Sequence, residues 1–451
     1  MTDELTFPAT FEWGCATAAF QIEGGAHQGG KLPSIWDDFC ALPGRIKDGS
    51  DGLVACDHYH RYPEDVALMA SLGLRHYRFS IAWTRVMDEQ GRPNPAGLDF
   101  YRRLLDQLQR HGITPNATLF HWDLPSHLEG GWLNRDTAHR FADYAALIAR
   151  ELGDRLPRVA TLNEPWCSAF LGHDRGVFAP GQQDREASLV AAHHLMLAHG
   201  LAVQAWRSVR ADTALGVVLN PELSDPASDN AADVAAARLA ELERNEVFLN
   251  PLFGREWPAE ILAQIGTRAH ERRPEDLAIC AQPLDFIGLN YYTRSVARAP
   301  ASVSEARRGY ALVPPTGTEL PLTDIGWEIY PAGLGRVVRN LSRQWPLPPI
   351  WITENGAADN TGVSQGECHD TVRTHYLQAH LAELSTLVEA GFDIRGYYVW
   401  SLLDNFEWAE GYSQRFGIVH VDYTTQTRTP KHSARWLQTL MQRCASTAPT
   451  P

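Results

Sequence analysis

Short apolar stretches recur along the chain, each followed by a polar turn and then by a longer segment whose apolar positions repeat every third or fourth residue. The first pattern predicts a β-strand and the second an amphipathic helix. Strands are predicted near Phe11–Thr17, Leu74–Ser80, Thr114–His121, Val159–Glu164, Leu215–Pro221, Phe286–Tyr291, Ile350–Glu354 and Gly396–Ser401. Helices are predicted over Pro63–Leu72, Gly97–His111, Asp136–Leu152, Ser188–Val209, Pro331–Arg343, Asp370–Ala390 and Lys431–Met441. Eight strands alternating with helices predict an α/β fold, a single (β/α)8 TIM barrel with extended loops on its C-terminal face. An open doubly wound sheet competes with this reading, but no G-x-G-x-x-G follows the first strand.

No composition shift or flexible linker divides the chain. Residues 1–444 are therefore read as one barrel domain, since such barrels can exceed ~400 residues. Ala299–Pro321 is expected to be a loop insertion and residues 445–451 a disordered tail. A content of 44% hydrophobic and 21% charged residues fits a folded chain with a large core.

Charge narrows the partners. A formal net charge of −14 with no dense basic run repels a phosphate backbone, so nucleic acid is not an expected partner. The N-terminal residues lack the basic and apolar regions of a secretory signal, and no apolar run is long enough to cross a bilayer. A cytoplasmic protein without membrane association is expected. The seven scattered cysteines, with no C-x-x-C pair, are expected to be reduced thiols. Cys56-x-His58-x-His60 superficially resembles a ligand set, but it has no fourth ligand nearby and no metal is expected there. Oligomeric state is left open.

In a barrel of this kind the C-terminal strand ends and the loops after them build the active face. Two glutamates stand where an apolar strand gives way to a polar turn, Glu164 in Thr161-Leu162-Asn163-Glu164-Pro165 and Glu354 in Ile352-Thr353-Glu354-Asn355-Gly356. They lie 190 positions apart (354 − 164), so only a large fold brings them together. Paired carboxyls can donate a proton to a glycosidic oxygen and attack an anomeric carbon. Other polar groups fall at strand ends as well: Gln21, Arg78, His121-Trp122, Asn290-Tyr291-Tyr292, Trp400 and the loop Asp404-Asn405-Phe406-Glu407-Trp408. Amides and carboxylates suit sugar hydroxyls, while indole suits the apolar face of a pyranose. The chain has 14 tryptophans, several beside these groups.

Six segments in series carry a resemblance: Phe11-Glu12-Trp13-Gly14 with Gln21-Ile22-Glu23-Gly24, Tyr77-Arg78-Phe79-Ser80, the Glu164 segment, Leu289-Asn290-Tyr291-Tyr292, the Glu354 segment, and Ser401-Leu402-Leu403 running into Asp404–Trp408. Together, from about residue 7 to about residue 440, they resemble glycoside hydrolase family 1, the retaining β-glucosidase family. The resemblance implies that Glu164 is the acid/base and Glu354 the nucleophile. It implies sugar binding by Gln21, His121, Trp122, Asn163, Glu407 and Trp408, with Trp400 as a stacking platform. Asn290 and Tyr292 are implied to be polar groups near the reacting centre, Arg78 and Tyr292 to support the nucleophile, and Trp327 to wall the leaving group. One departure is Cys15, where the family usually carries an aliphatic residue.

The implied activity is exo-acting hydrolysis of β-glucosides and cello-oligosaccharides, with β-galactosides or β-fucosides as further substrates and no cofactor. Arg78 and Tyr292 are expected to lower the pKa of Glu354, and the charge on Glu354 to keep Glu164 protonated at neutral pH. A carboxyl separation of roughly 5–5.5 Å is expected, which corresponds to retention of configuration. Intact Glu407-Trp408 speaks against the phospho-glycosidase branch, and glutamate at 164 against the thioglucosidase branch. A catalytically silent sugar-binding barrel and an endo-acting cellulase-like barrel are the alternatives from other classes.

Overall fold

The computed structural model describes residues 5–314 and 319–446. Its centre is a closed ring of eight parallel strands: β1 (Glu12–Ala16), β2 (His76–Ser80), β3 (Thr114–Phe120), β4 (Arg158–Asn163), β5 (Ala214–Leu219), β6 (Phe286–Asn290), β7 (Ile350–Asn355) and β8 (Ile394–Trp400). Each strand pairs with its neighbour in chain order, and β8 returns to β1 with Glu12 opposite Gly396 and Ala16 opposite Trp400. This is the expected TIM barrel. Because both strand faces are covered, the strands read as nearly continuous apolar runs; all five residues of β6 are buried.

The N-terminal end of the barrel is plugged by a structural ion pair. Arg158 donates to both oxygens of Glu12, at 2.7 and 2.9 Å, and its guanidinium lies 3.9 Å over Trp351. Two glycines leave the room this needs, since a Cβ on Gly14 would meet the Tyr398 ring at 2.6 Å and one on Gly396 would meet Trp351 at 2.6 Å. The charged pair at this end thus serves the barrel itself, and the C-terminal end remains for the site.

Amphipathic helices ring the barrel, and their ends differ from the sequence-based expectation in instructive ways. The helix expected to begin at Pro63 begins five residues earlier and spans His58–Ser71, with Pro63 inside it. A proline there removes only one backbone donor, and His58 is fixed two turns ahead by its 2.8 Å contact with Asp65. The helix Arg185–Val209 starts three residues before the expected Ser188 because the Asp184 side chain accepts from the Ala187 N–H at 3.1 Å. The last helix, His432–Ser446, takes in Ala445 and Ser446, the first two residues of the expected tail. The rest of that expected tail, residues 447–451, lies outside the described residues.

The expected insertion Ala299–Pro321, of which residues 315–318 lie outside the described residues, carries a helix and a short strand and joins the segment before it in a small sheet. Ser295–Arg298 pairs with Ser224–Pro226 and with Ala311–Leu312 in a small three-stranded sheet, and a capped helix covers Val303–Arg308. Register shifts occur near the C-terminal ends of β4 and β7, between Ala160 and Asn163 and beyond Ile352. Such irregularities re-aim side chains beside functional sites.

None of the seven cysteines forms a disulfide, and no described helix is long and apolar enough to cross a membrane. Cys15 is fully buried, and burial pushes its thiol pKa up. In the Cys56–His60 segment, Cys56 donates to the Asp404 carbonyl, His58 meets Asp65, and His60 meets Asp57 and Gln28. The three side chains serve different partners. Among the described residues no cluster of three or more His, Cys, Asp or Glu is arranged to hold a metal ion.

Candidate active site

At the C-terminal end of the barrel lies a cavity of about 680 Å³, lined by His121, Trp122, Glu164, Asn290, Tyr292, Trp327, Glu354, Trp400, Glu407 and Trp408. Ten of the residues singled out from the sequence therefore meet in one place. Arg78, Asn163 and Gln21 stand behind the wall rather than on it, each buried and bonded to a lining residue or to its support.

Glu164 follows β4 directly, in a left-handed backbone conformation with φ +43°. This is uncommon for a residue with a side chain; here its N–H donates to the Val218 carbonyl at 2.9 Å, which locks the turn. The carboxyl is 5% exposed. Its Oε1 accepts from Asn290 Nδ2 at 2.5 Å and its Oε2 from the Cys167 thiol at 3.1 Å. Neither of these partners is a cation.

Glu354 lies in β7, 3% exposed, and its partners are of another kind. Arg78 Nη1 donates to Oε1 at 2.6 Å and the Tyr292 hydroxyl to Oε2 at 2.6 Å. Asn290 helps to lower the Glu354 pKa, but its own hydrogen bonds go to Glu164 and Asn163. That amide is held from behind: Thr353 Oγ1 donates to Asn290 Oδ1 at 2.7 Å, and Asn290 Nδ2 reaches Asn163 Oδ1 at 3.1 Å. Arg78 Nη2 donates to the same Asn163 oxygen at 2.6 Å. The candidate acid, the candidate nucleophile and their supports thus form one bonded network across β2, β4, β6 and β7.

Burial is the largest influence on both carboxyls and pushes both pKa values up. Glu164 is pushed to about 7, first by burial and then by the negative charge of Glu354. Arg78 and Tyr292 pull Glu354 back down, yet its net direction is upward, contrary to the expectation of a lowered value. The sequence marks the two partners but not the depth at which they act. The order of the pair stands, because Glu354 has a cation in contact and Glu164 an amide and a thiol; the proton resides on Glu164.

Around this pair stand groups suited to sugar hydroxyls. Gln21 Nε2 donates to Asn405 Oδ1, the Phe406 carbonyl and, at 3.4 Å, Glu407 Oε2, while Gln21 Oε1 has no partner among the described residues. Burial pushes the Glu407 carboxyl to about 8, with the charges of Glu354 and Glu164 adding to the effect. Burial and the charge of Arg78 hold the His121 pKa well below its usual value, so the ring is neutral. Its Nε2 faces Asn163 Nδ2 at 3.1 Å and must accept there, which leaves the proton on Nδ1, an atom with no partner among the described residues.

The aromatic wall is continuous. Trp408 lies 4.6 Å from Trp122 and 4.5 Å from Trp36, His121 stacks near Trp400 at 5.8 Å, and Trp327 meets Tyr292 at 5.6 Å. The Trp122 N–H is taken by the Asn163 carbonyl at 2.9 Å, so this residue offers its ring and not a donor. Farther out the cavity is walled by Trp166, Cys167, Leu171, Val177, Phe178, Glu222 and Arg244. Arg244 sits in an unremarkable helical stretch, and nothing in its sequence context marks it.

A closed (β/α)8 barrel with two buried carboxyls of unequal surroundings in an aromatic-walled pocket is the architecture of a glycoside-cleaving enzyme. The sequence pattern of Glycosyl hydrolase family 1 matches residues 3–445, and the chain belongs to that family. It is 47% identical to a β-glucosidase of an Agrobacterium species, over 98% of this chain and 97% of that one. The solved AHE enzyme of Alicyclobacillus herbarius superposes with a TM-score of 0.95 at 46% identity, covering 100% of both chains. Virulence factor SghA of Agrobacterium tumefaciens, solved with its substrate analogue salicin, superposes with a TM-score of 0.93 at 46% identity over 96% of each chain.

Proposed function

We propose that this chain is an exo-acting, retaining β-glucosidase that removes terminal non-reducing β-D-glucosyl units from aryl glucosides and cello-oligosaccharides. β-Galactosides and β-fucosides are further substrates of the same site. The observation that carries the reading is the pair of buried carboxyls, one bonded to a cation and the other to an amide and a thiol.

The chemistry follows from that inequality. Ionised Glu354 attacks the anomeric carbon while Glu164 gives its proton to the departing glycosidic oxygen. Glu354 is then a neutral ester, and the charge that raised the Glu164 pKa is gone. Glu164, now ionised, takes a proton from water as the water attacks the ester, which releases the sugar and restores both groups. Gln21, Glu407, His121 and Asn163 hold the sugar, Trp400 and Trp408 support its ring, Trp122 adds apolar wall, and Trp327 flanks the leaving group. The outer wall of Trp166, Leu171, Val177 and Phe178 suits an aryl group or a second sugar.

Proton NMR of the first product tests the stereochemistry. A β-glycoside should release the β-anomer first, in keeping with carboxyls roughly 5–5.5 Å apart. Glu354→Ala should abolish hydrolysis, with azide restoring turnover to give the inverted α-glycosyl azide. An α-anomer appearing first from the unaltered enzyme, or near-normal activity in Glu354→Ala, would overturn the assignment.

A further inference from the structure

We propose that Cys167 is a positioning residue for Glu164: its thiol holds the proton-carrying oxygen of that carboxyl through a weak hydrogen bond and thereby sets the alkaline edge of activity. The inference rests on the reading of Glu164 as the acid/base.

The contact is built into the chain. The left-handed turn at Glu164 leads straight into the single irregular turn Cys167–Leu171, where the Cys167 N–H donates to the Glu164 carbonyl at 2.9 Å. This three-residue return brings Sγ to 3.1 Å from Glu164 Oε2. Cys167 is 5% exposed and lies on the cavity wall. From the opposite side Asn220 Nδ2, just beyond β5, donates to Sγ at 3.5 Å. The sulfur is occupied from behind, and its S–H is directed forward to the carboxyl.

The two oxygens of Glu164 are not equivalent. Oε1 is committed to the Asn290 amide, which can only donate there. A proton on Glu164 therefore belongs on Oε2, the oxygen the thiol touches. A thiol is a weak donor and a weak acceptor. It steadies the ionised carboxylate only slightly, so the acid stays protonated near neutral pH, and it does not retain the proton against a glycosidic oxygen. A hydroxyl at the same place would do both more strongly.

Other charges face Glu164 from the surrounding elements. They are Glu354 from β7, Tyr292 beyond β6, Glu407 beyond β8, and Arg244, which lies 3.6 Å over Trp166 and is ion-paired with Glu222. Arg78 on β2 is engaged by Glu354 and Asn163. All of these are common to the variants below, so a change at position 167 isolates the thiol.

The test is the pH dependence of kcat/KM for 4-nitrophenyl β-glucoside in Cys167→Ser and Cys167→Ala. The serine variant should move the alkaline limb to lower pH by about half a unit or more, because a hydroxyl stabilises the carboxylate better. The alanine variant should move it the other way, with the acid limb unmoved in both. Limb positions do not depend on the amount of folded enzyme. With 2,4-dinitrophenyl β-glucoside, whose departure needs no proton, neither shift should appear in kcat/KM. Limbs that stay put, shift together in one direction, or shift equally with the dinitrophenyl substrate would overturn the proposal. Glu164→Gly supplies the control: azide should restore turnover and give the β-glycosyl azide. If azide fails there, the acid/base reading itself is wrong; if it succeeds and the Cys167 limbs stay put, only the role of Cys167 is wrong.

Discussion

The proposed mechanism needs Glu164 neutral and Glu354 charged, and the two differ less in depth than in what touches them. Both are nearly inaccessible to solvent, yet one is bonded by an amide and a thiol and the other by a guanidinium and a phenol. With Glu164 pushed to about 7, the active protonated form is lost as pH rises through that value, so kcat/KM for a poor leaving group should fall above about pH 7. Glu164→Gln should remove this limb and slow such substrates by about 10²–10⁴-fold, with far less effect on dinitrophenyl glucosides. An alkaline limb that survives the substitution would assign it to another group. At this scale the sequence was most legible where chemistry coincides with a strand end, as at Glu164, Glu354, Arg78, Asn163, Asn290 and Tyr292. Thr353 was not legible, because it acts through Asn290 and carries no chemistry of its own, and Asn405 was marked only as part of its loop and not as the partner of Gln21.

Among the elements, β7 does more than present Glu354. Its register slips against both neighbours beyond Ile352, and Thr353, the residue in the slip, faces Asn290 on β6. The strand therefore delivers the proposed nucleophile and fixes the amide bonded to Glu164. Thr353→Val keeps the branched shape but removes the hydroxyl, leaving the buried Asn290 Oδ1 without that donor. The amide should then turn away from the geometry that serves Glu164. kcat should fall by about tenfold or more with KM little changed, since small misplacements of reacting groups cost rate steeply. Steady-state kinetics on an aryl glucoside checks this; an unchanged kcat would mean that Asn163 alone holds the amide. All eight strands were legible within a few residues, because apolar runs this short, bounded by polar turns, suit a buried strand better than a helix. Helix starts were harder. Asp184 caps by a side chain that resembles any loop acid, and the His58 start depends on Asp65 and on an arginine, Arg428, brought from the far end of the chain.

For the whole molecule, the pocket sets a cost that should be visible in stability. Of the carboxyls that line it, burial pushes Glu164 to about 7, Glu407 to about 8 and Glu354 upward. A carboxyl with a raised folded-state pKa stabilises the fold most fully below its unfolded value, near 4.3 for a glutamate. That contribution is lost as pH rises through the folded value. The buried histidines act in the opposite sense: His173 and His194 are pushed to about 4, and His199 and His380 to about 3, by burial. They cost stability as pH falls through about 6.5, where the unfolded rings are half protonated. Asp123, likewise pushed to about 7 by burial, titrates in the same range as the pocket carboxyls. One group is therefore isolated by the difference between parent and variant, in which the histidines and Asp123 cancel. Glu407→Gln removes one of the pocket carboxyls and can still accept from Gln21 through its amide oxygen. This variant should melt above its parent at pH 8, by about 2 °C or more, and the gap should narrow towards pH 6.5. The same variant should lose activity, because the amide cannot accept twice from a sugar as the carboxylate can. Thermal unfolding of parent and variant across this window decides the matter. A gap that does not change with pH would mean that Glu407 ionises alike in the folded and unfolded chain, and that the pocket does not hold its charge at the expense of the fold.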